Sequence, residues 1–185
     1  MKSRYEIILS GVGGQGLVVG GTILGEAATM FENLNSTLTT SYGVETRGTF
    51  TKSDVIISKD EIFFPEVVEE DFVLALAQVA YDRYAKSINE NCILVYDCNS
   101  IEPVDDLKAR QYGFPITDTA REIGNMATVN IISLGLIVKM TGVVSVESVT
   151  NVLKEQFSKK PKMYEMNLNA FNKGLEMAVA TVKKF

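Results

Sequence analysis

The chain of 185 residues carries 18 lysines and arginines against 23 aspartates and glutamates, a net charge of -5, and it contains no histidine and no tryptophan. With 46 % apolar and 22 % charged residues it has the balance of one globular domain rather than of a disordered chain. The acidic balance argues against a polyanion partner, which needs clustered Lys and Arg, and the missing imidazole removes both a histidine base and a histidine-ligated metal.

The N-terminal MKSRYEIILSGV holds only a brief apolar run before glycines intervene, too short for a signal peptide or a membrane span, so a cytoplasmic protein is expected. Residues 5 to 10, YEIILS, are β-branched and apolar and predict a buried first strand. GVGGQG follows, and LVVGGTILGEAATMF then places apolar residues at helical spacing over 17–31. Short runs at 36–40, 54–58, 72–77 and 92–97, with a helical stretch at 81–89 and a sixth strand near 114–117, predict a three-layer α/β/α fold. Its mainly parallel, Rossmann-like sheet would carry helices on both faces.

Thr119 and Glu122 match a capping box, from which a long helix is expected to run through NIISLGLIVKM to Gly142. Ser145 reads as the next N-cap, and Pro161 marks the break before a last helix ending at Val182. The C-terminal third is thus helical, and with no repeat, linker or low-complexity tract the chain is read as one domain over 1–185. Cys92 and Cys98, on a buried strand and its end, read as reduced core thiols. Without a CxxC pair this chain does not hold a four-cysteine iron-sulfur cluster by itself.

Gly11, Gly13 and Gly16 satisfy GxGxxG between a strand and a helix, the setting of a dinucleotide fingerprint. The carboxylate that should hold the ribose at the end of the second strand is missing, since STLTT runs on into Ser41 and Tyr42. Gly20, Gly21 and Gly25 weaken the following helix by up to about 1 kcal/mol each. A compensating close contact is required, with the sheet of this chain or with a partner. In SYGVETRGTF, Glu45 and Arg47 form either a loop salt bridge or part of a binding loop, in which Arg47 beside Gly48 suits phosphate or carboxylate. Asp97 reads equally as a site carboxylate or as a cap.

Taken together, GVGGQG, ILGEAA, SYGVETRG, SDVIISKDEIFFP, VNIISLG and EMNLNAFNKG resemble the gamma subunit of 2-oxoacid:ferredoxin oxidoreductases over nearly the whole chain. SYGVETRG is most similar to the 2-oxoglutarate branch: the indolepyruvate branch has a histidine before its RGG, and the pyruvate branch an arginine where this chain has Val12. Val44 and Thr49 depart from the proline and glycine frequent in the family.

The resemblance implies a non-autonomous subunit of an enzyme that oxidatively decarboxylates a 2-oxoacid, 2-oxoglutarate above all, with coenzyme A as co-substrate. Thiamine diphosphate, magnesium and iron-sulfur clusters would sit in partner alpha, beta and delta subunits, and ferredoxin or flavodoxin would accept the electrons. In its terms Gly11, Gly13, Gly14, Gln15, Gly16, Ser41, Tyr42, Arg47 and Gly48 form one surface toward coenzyme A, with no catalytic residue and no metal ligand. A free-standing nucleotide-binding oxidoreductase and a purely structural packing subunit stay open as alternatives. The isolated chain is expected to be capable of forming a homodimer, and no nucleic acid or membrane is expected as a partner.

Overall fold

A computed structural model describes residues 2–42 and 49–182. Its six-stranded sheet has the order β2-β3-β1-β4-β5-β6, with β1 at Arg4–Val12, β2 at Asn35–Tyr42, β3 at Phe50–Ser58, β4 at Phe72–Ala75, β5 at Ile93–Asp97 and β6 at Arg110–Phe114. β1, β4, β5 and β6 run parallel, whereas β3 lies antiparallel to both β1 and β2. The expected α/β sheet is therefore present but mixed. Crossing from β1 through helix α1 (Leu17–Glu26), the chain reaches the outermost strand and comes back by a hairpin that inserts β3 beside β1.

Alternation along β1 sorts the core. Ile7 and Leu9 face the larger cluster, with the helices, while Ile8 faces a smaller one that includes Val73, Tyr81 and Leu94. The smaller face carries one helix, α2 (Gln78–Ala85), and loops, so the two faces are covered unequally. α1 lies close over β2 and β3: a Cβ on Gly21 would stand 2.7 Å from Leu38 and 3.0 Å from Val55. The glycines of this helix thus serve the sheet of this chain. Beyond Glu26 the helix widens into a π-turn at Ala27–Phe31.

The capping-box expectation is wrong. Thr119 lies inside α3 (Ile116–Ile123), and its hydroxyl donates to the Pro115 carbonyl at 2.8 Å. The cap comes from elsewhere: fully buried Asp97, at the end of β5, accepts from the Thr117 N–H at 3.2 Å and from the Thr117 and Ser100 hydroxyls. Asp97 is therefore a capping residue, satisfied within the fold. Nor is the following helix continuous, because Gly124 turns left-handed at φ 86° and Asn125 restarts the chain by accepting from the Ala127 N–H. A short 3-10 turn leads into α4 (Val129–Thr141), which stops at Gly142 as expected.

Ser145 caps α5 (Val146–Gln156) as read, and α6 (Pro161–Val182) begins at the expected proline. α4 is buried continuously from Val129 to Val138, so it shows no amphipathic stripe. It crosses α6 where two glycines meet: a Cβ on Gly135 would lie 2.8 Å from the Gly174 Cα, and one on Gly174 would lie 2.9 Å from the Gly135 Cα. The cysteines also divide. Cys92 is buried, with its thiol pushed up to about 12 by that burial, whereas Cys98 is exposed rather than in the core.

Because backbone surrounds the Gly135 position, a methyl group there cannot be accommodated by a side-chain shift. Gly135→Ala is expected to cost about 3 kcal/mol or more, at the upper end of overpacking, read as a lower urea midpoint at unchanged slope.

Candidate functional site

β1 ends at Val12 and α1 begins at Leu17, so the turn 13–16 sits on the rim formed by the C-terminal ends of the parallel strands. Two of its residues need positive φ, Gly14 at 97° and Gly16 at 73°. Gly14 has open space at its Cβ position, while Gly16 is hemmed in: a Cβ there would meet the Asn130 amide nitrogen at 2.6 Å.

Two amide side chains fix this turn. Gln15 folds back beneath it, accepting from the Val12 N–H at 2.8 Å and donating to the Leu76 carbonyl at 2.9 Å, so it bridges β1 to the segment after β4. The space it occupies is the one a Cβ on Gly11 would take. From α4, Asn130 donates to the Gly16 carbonyl at 3.2 Å, the carbonyl that also receives the first helical bond from Gly20. Asn130 is 7 % exposed, and its other amide atom, Oδ1, is buried with no protein partner. It borders a small void of about 10 Å³ between α1, α4 and the sheet. That volume is about the lower limit for one water, which would satisfy the oxygen.

Above the turn is an open recess of about 310 Å³, lined by residues 12–19 and Thr51. Gly16 gives α1 no side-chain cap and no acid follows in the first turn, so the helix starts with unsatisfied N–H groups and its positive dipole end. Among the described residues the lining holds no ionisable group. This arrangement can hold an anion or an apolar chain.

Of the residues read from the sequence, Gly13 and Gly14 are exposed on top of the turn, and Gly13, Gly14, Gln15 and Gly16 line the recess. Gly11 is buried below it. Ser41 and Tyr42 pair with Lys52 and Thr51, and these in turn with Ser10 and Gly11, which puts them on the same rim two strands away, about 10 Å. Arg47, Gly48 and Glu45 lie outside the described residues. The missing ribose carboxylate has a structural reason, because the strand beside β1 starts there with Phe50 and Thr51 instead of ending there.

Asn130 and Thr51 escaped the sequence reading. Asn130 sits 114 residues from its partner, and its only signal is an amide side chain in the buried, mostly apolar run of α4. On the same rim, Cys98 is no activated nucleophile: partial burial raises its pKa, and the Asp97 charge adds to this. Across the smaller face, burial pushes the Tyr84 hydroxyl up to about 12, helped by Asp54.

A family model described as pyruvate ferredoxin/flavodoxin oxidoreductase matches residues 6–177. The chain is 39 % identical over 181 residues to the 2-oxoglutarate synthase subunit KorC of Methanocaldococcus jannaschii, covering 96 % of both. Among solved structures, a keto/oxoacid ferredoxin oxidoreductase gamma subunit from Geobacter sulfurreducens superposes with a TM-score of 0.83 at 35 % identity, over 95 % of this chain and 99 % of that one. A 2-oxoglutarate:ferredoxin oxidoreductase from Magnetococcus marinus shares the fold with a TM-score of 0.89 at 24 % identity. There this chain covers 32 % of a longer one while 97 % of its own length is matched.

Replacing Asn130 separates its hydrogen bond from its volume. Asn130→Leu should cost on the order of 1 kcal/mol, whereas Asn130→Asp sets an unpaired buried charge against the Gly16 carbonyl and should cost about 3 kcal/mol at neutral pH. A buried aspartate titrates above its unfolded value of about 3.9, so its penalty should fade as pH drops toward that value, which urea melts at a series of pH values would follow.

Proposed function

The chain belongs to the pyruvate ferredoxin/flavodoxin oxidoreductase family, and from that premise we propose that it is the gamma-type subunit of a 2-oxoglutarate:ferredoxin oxidoreductase. Such a complex decarboxylates 2-oxoglutarate, transfers the succinyl group to the coenzyme A thiol, and passes the electrons to ferredoxin or flavodoxin. The near full-length likeness to KorC supports the gamma-type assignment and the substrate.

The other components are assigned by fit. Thiamine diphosphate with magnesium and the iron-sulfur clusters supply the carbanion and electron chemistry when bound. This chain's residues do not fit them. Cys92 and Cys98 stand at opposite ends of β5, and among the described residues no set of three His, Cys, Asp or Glu side chains converges. We propose, following the family resemblance, that these groups are held by partner alpha, beta and delta subunits. Among the described residues no helix is long and apolar enough to cross a membrane, in keeping with our reading of a cytoplasmic complex.

The observation that carries a ligand role for this chain is the uncapped start of α1 opening into a recess whose described lining holds no ionisable group. It fits coenzyme A in two respects, with N–H groups for a phosphate oxygen and the Val18 and Val19 side chains for the pantetheine arm. Gly11 and Gly16 favour the packing reading for themselves, since Gln15 and Asn130 occupy the space beside them. Ligand contact is thus narrowed to Gly13, Gly14 and the first turn of α1, with Ser41 and Tyr42 on the same rim; Arg47 and Gly48, outside the described residues, are kept as contacts from the sequence reading.

Tagged and purified gently without oxygen from its own cells, the chain should bring down other subunits and reduce a dye in the presence of both 2-oxoglutarate and coenzyme A. Recovery of the chain alone from a lysate that retains this activity would sink the subunit reading. Within the complex, Val19→Glu brings a negative charge to the mouth of the recess. It should raise the apparent KM for coenzyme A several-fold and leave that for 2-oxoglutarate unchanged, with Arg47→Ala shifting the same constant in the same direction.

A further inference from the structure

The end of the sheet opposite the glycine turn carries a surface that the recess does not use. Between β3 and β4 the chain crosses through residues 59–71, which contain no helix or strand. Their backbone is nevertheless tied to the start of β1. Arg4 donates to the carbonyls of Phe64 and Glu66 at 3.2 and 3.4 Å and pairs with Glu6 at 2.6 Å. The second Glu6 oxygen accepts from the N–H groups of Val68 and Glu69 at 2.6 and 2.9 Å. At its far end Asp71 accepts from the Glu6 N–H at 3.0 Å and pairs with Lys2 at 2.6 Å. Burial alone would raise the Glu6 pKa, but hydrogen bonds from Glu69, Arg4 and Val68 outweigh it and hold the carboxyl below its ordinary value. The anchor therefore stays charged at neutral pH.

What this fixed backbone presents is apolar. Phe63 is 88 % exposed, Val68 72 % and Phe64 53 %. The Phe64 carbonyl and the Val68 N–H bind the same Arg4–Glu6 ion pair, which holds these two segments near each other. Around them Asp60, Glu61 and Glu66 are exposed and form no ion pair among the described residues. An anchored loop cannot fold its aromatic rings back into the core, and such a patch rimmed by charge is the pattern of an interface.

We propose that residues 60–68 dock another subunit of the same complex, one that offers an apolar recess rimmed by lysine or arginine. This rests on the subunit reading above. A second copy of this chain is the poorer occupant, because a two-fold contact through this patch would set Glu61 and Glu66 against their own likeness.

The test uses the co-expressed complex with Phe63→Ser/Phe64→Ser and, separately, Glu61→Lys/Glu66→Lys. Val104→Ser, at an exposed site of 50 % on another loop, serves as the control. Subunit stoichiometry is followed by size exclusion across a dilution series at low and high salt. The serine variant should dissociate at a concentration about tenfold higher or more. The charge reversal should do so at low salt, with the difference shrinking as salt rises, while the control matches wild type. Assembly of both variants like wild type would overturn the proposal, as would tighter assembly of the lysine variant or loss only of self-association. Wild-type chain that brings down no other subunit would instead remove the subunit reading itself.

Discussion

The geometry of the recess depends on the placement of two amides against two glycines. Gln15 fills the space beside Gly11 and ties β1 to the segment after β4, and Asn130 fills the space beside Gly16 and holds the carbonyl that starts α1. The Asn130 contact works only while α4 lies close to the turn, and α4 is held there from behind by its crossing with α6 at Gly135 and Gly174. A chain of close backbone approaches thus runs from the C-terminal helix to the rim of the sheet. Packed interiors transmit such constraints because they contain little slack.

The same arrangement explains why a fingerprint-like sequence does not make a dinucleotide site. In a Rossmann unit the strand next to β1 runs parallel and offers a carboxylate at its end. Here that place is taken by the start of an antiparallel strand, and the crevice between β1 and β4 is spanned by Gln15. What stays open lies outside the turn and is lined, among the described residues, by backbone and uncharged side chains. To this surface the chain contributes shape and the positive end of a helix dipole.

Sequence pattern conveyed most of the elements. The first five strands and the helix boundaries at Gly142, Ser145 and Pro161 lie close to their expected places, because each depends on local chemistry: burial of β-branched runs, a left-handed stop, a hydroxyl cap, a fixed proline φ. The sixth strand, expected near 114–117, lies earlier, at Arg110–Phe114, and 116–117 begin α3 instead. The start of α3 was misread because its cap, Asp97, comes from a neighbouring strand. Likewise the reading of Cys98 as a core thiol failed, since the strand leaves the interior at Asp97.

By itself the sequence determined the α/β class, the glycine turn between strand and helix, the absence of imidazole chemistry, and the family resemblance. All of these follow from local composition and order along the chain. Tertiary structure decided the antiparallel insertion of β3, the unequal cover of the two faces, and the assignment of Gly11, Gly16, Gly21, Gly135 and Gly174 to close packing. It alone brought Asn130 to Gly16 across 114 residues. A glycine looks the same in sequence whether its missing side chain admits a ligand, a helix or an amide, and only the neighbour that fills the space tells which.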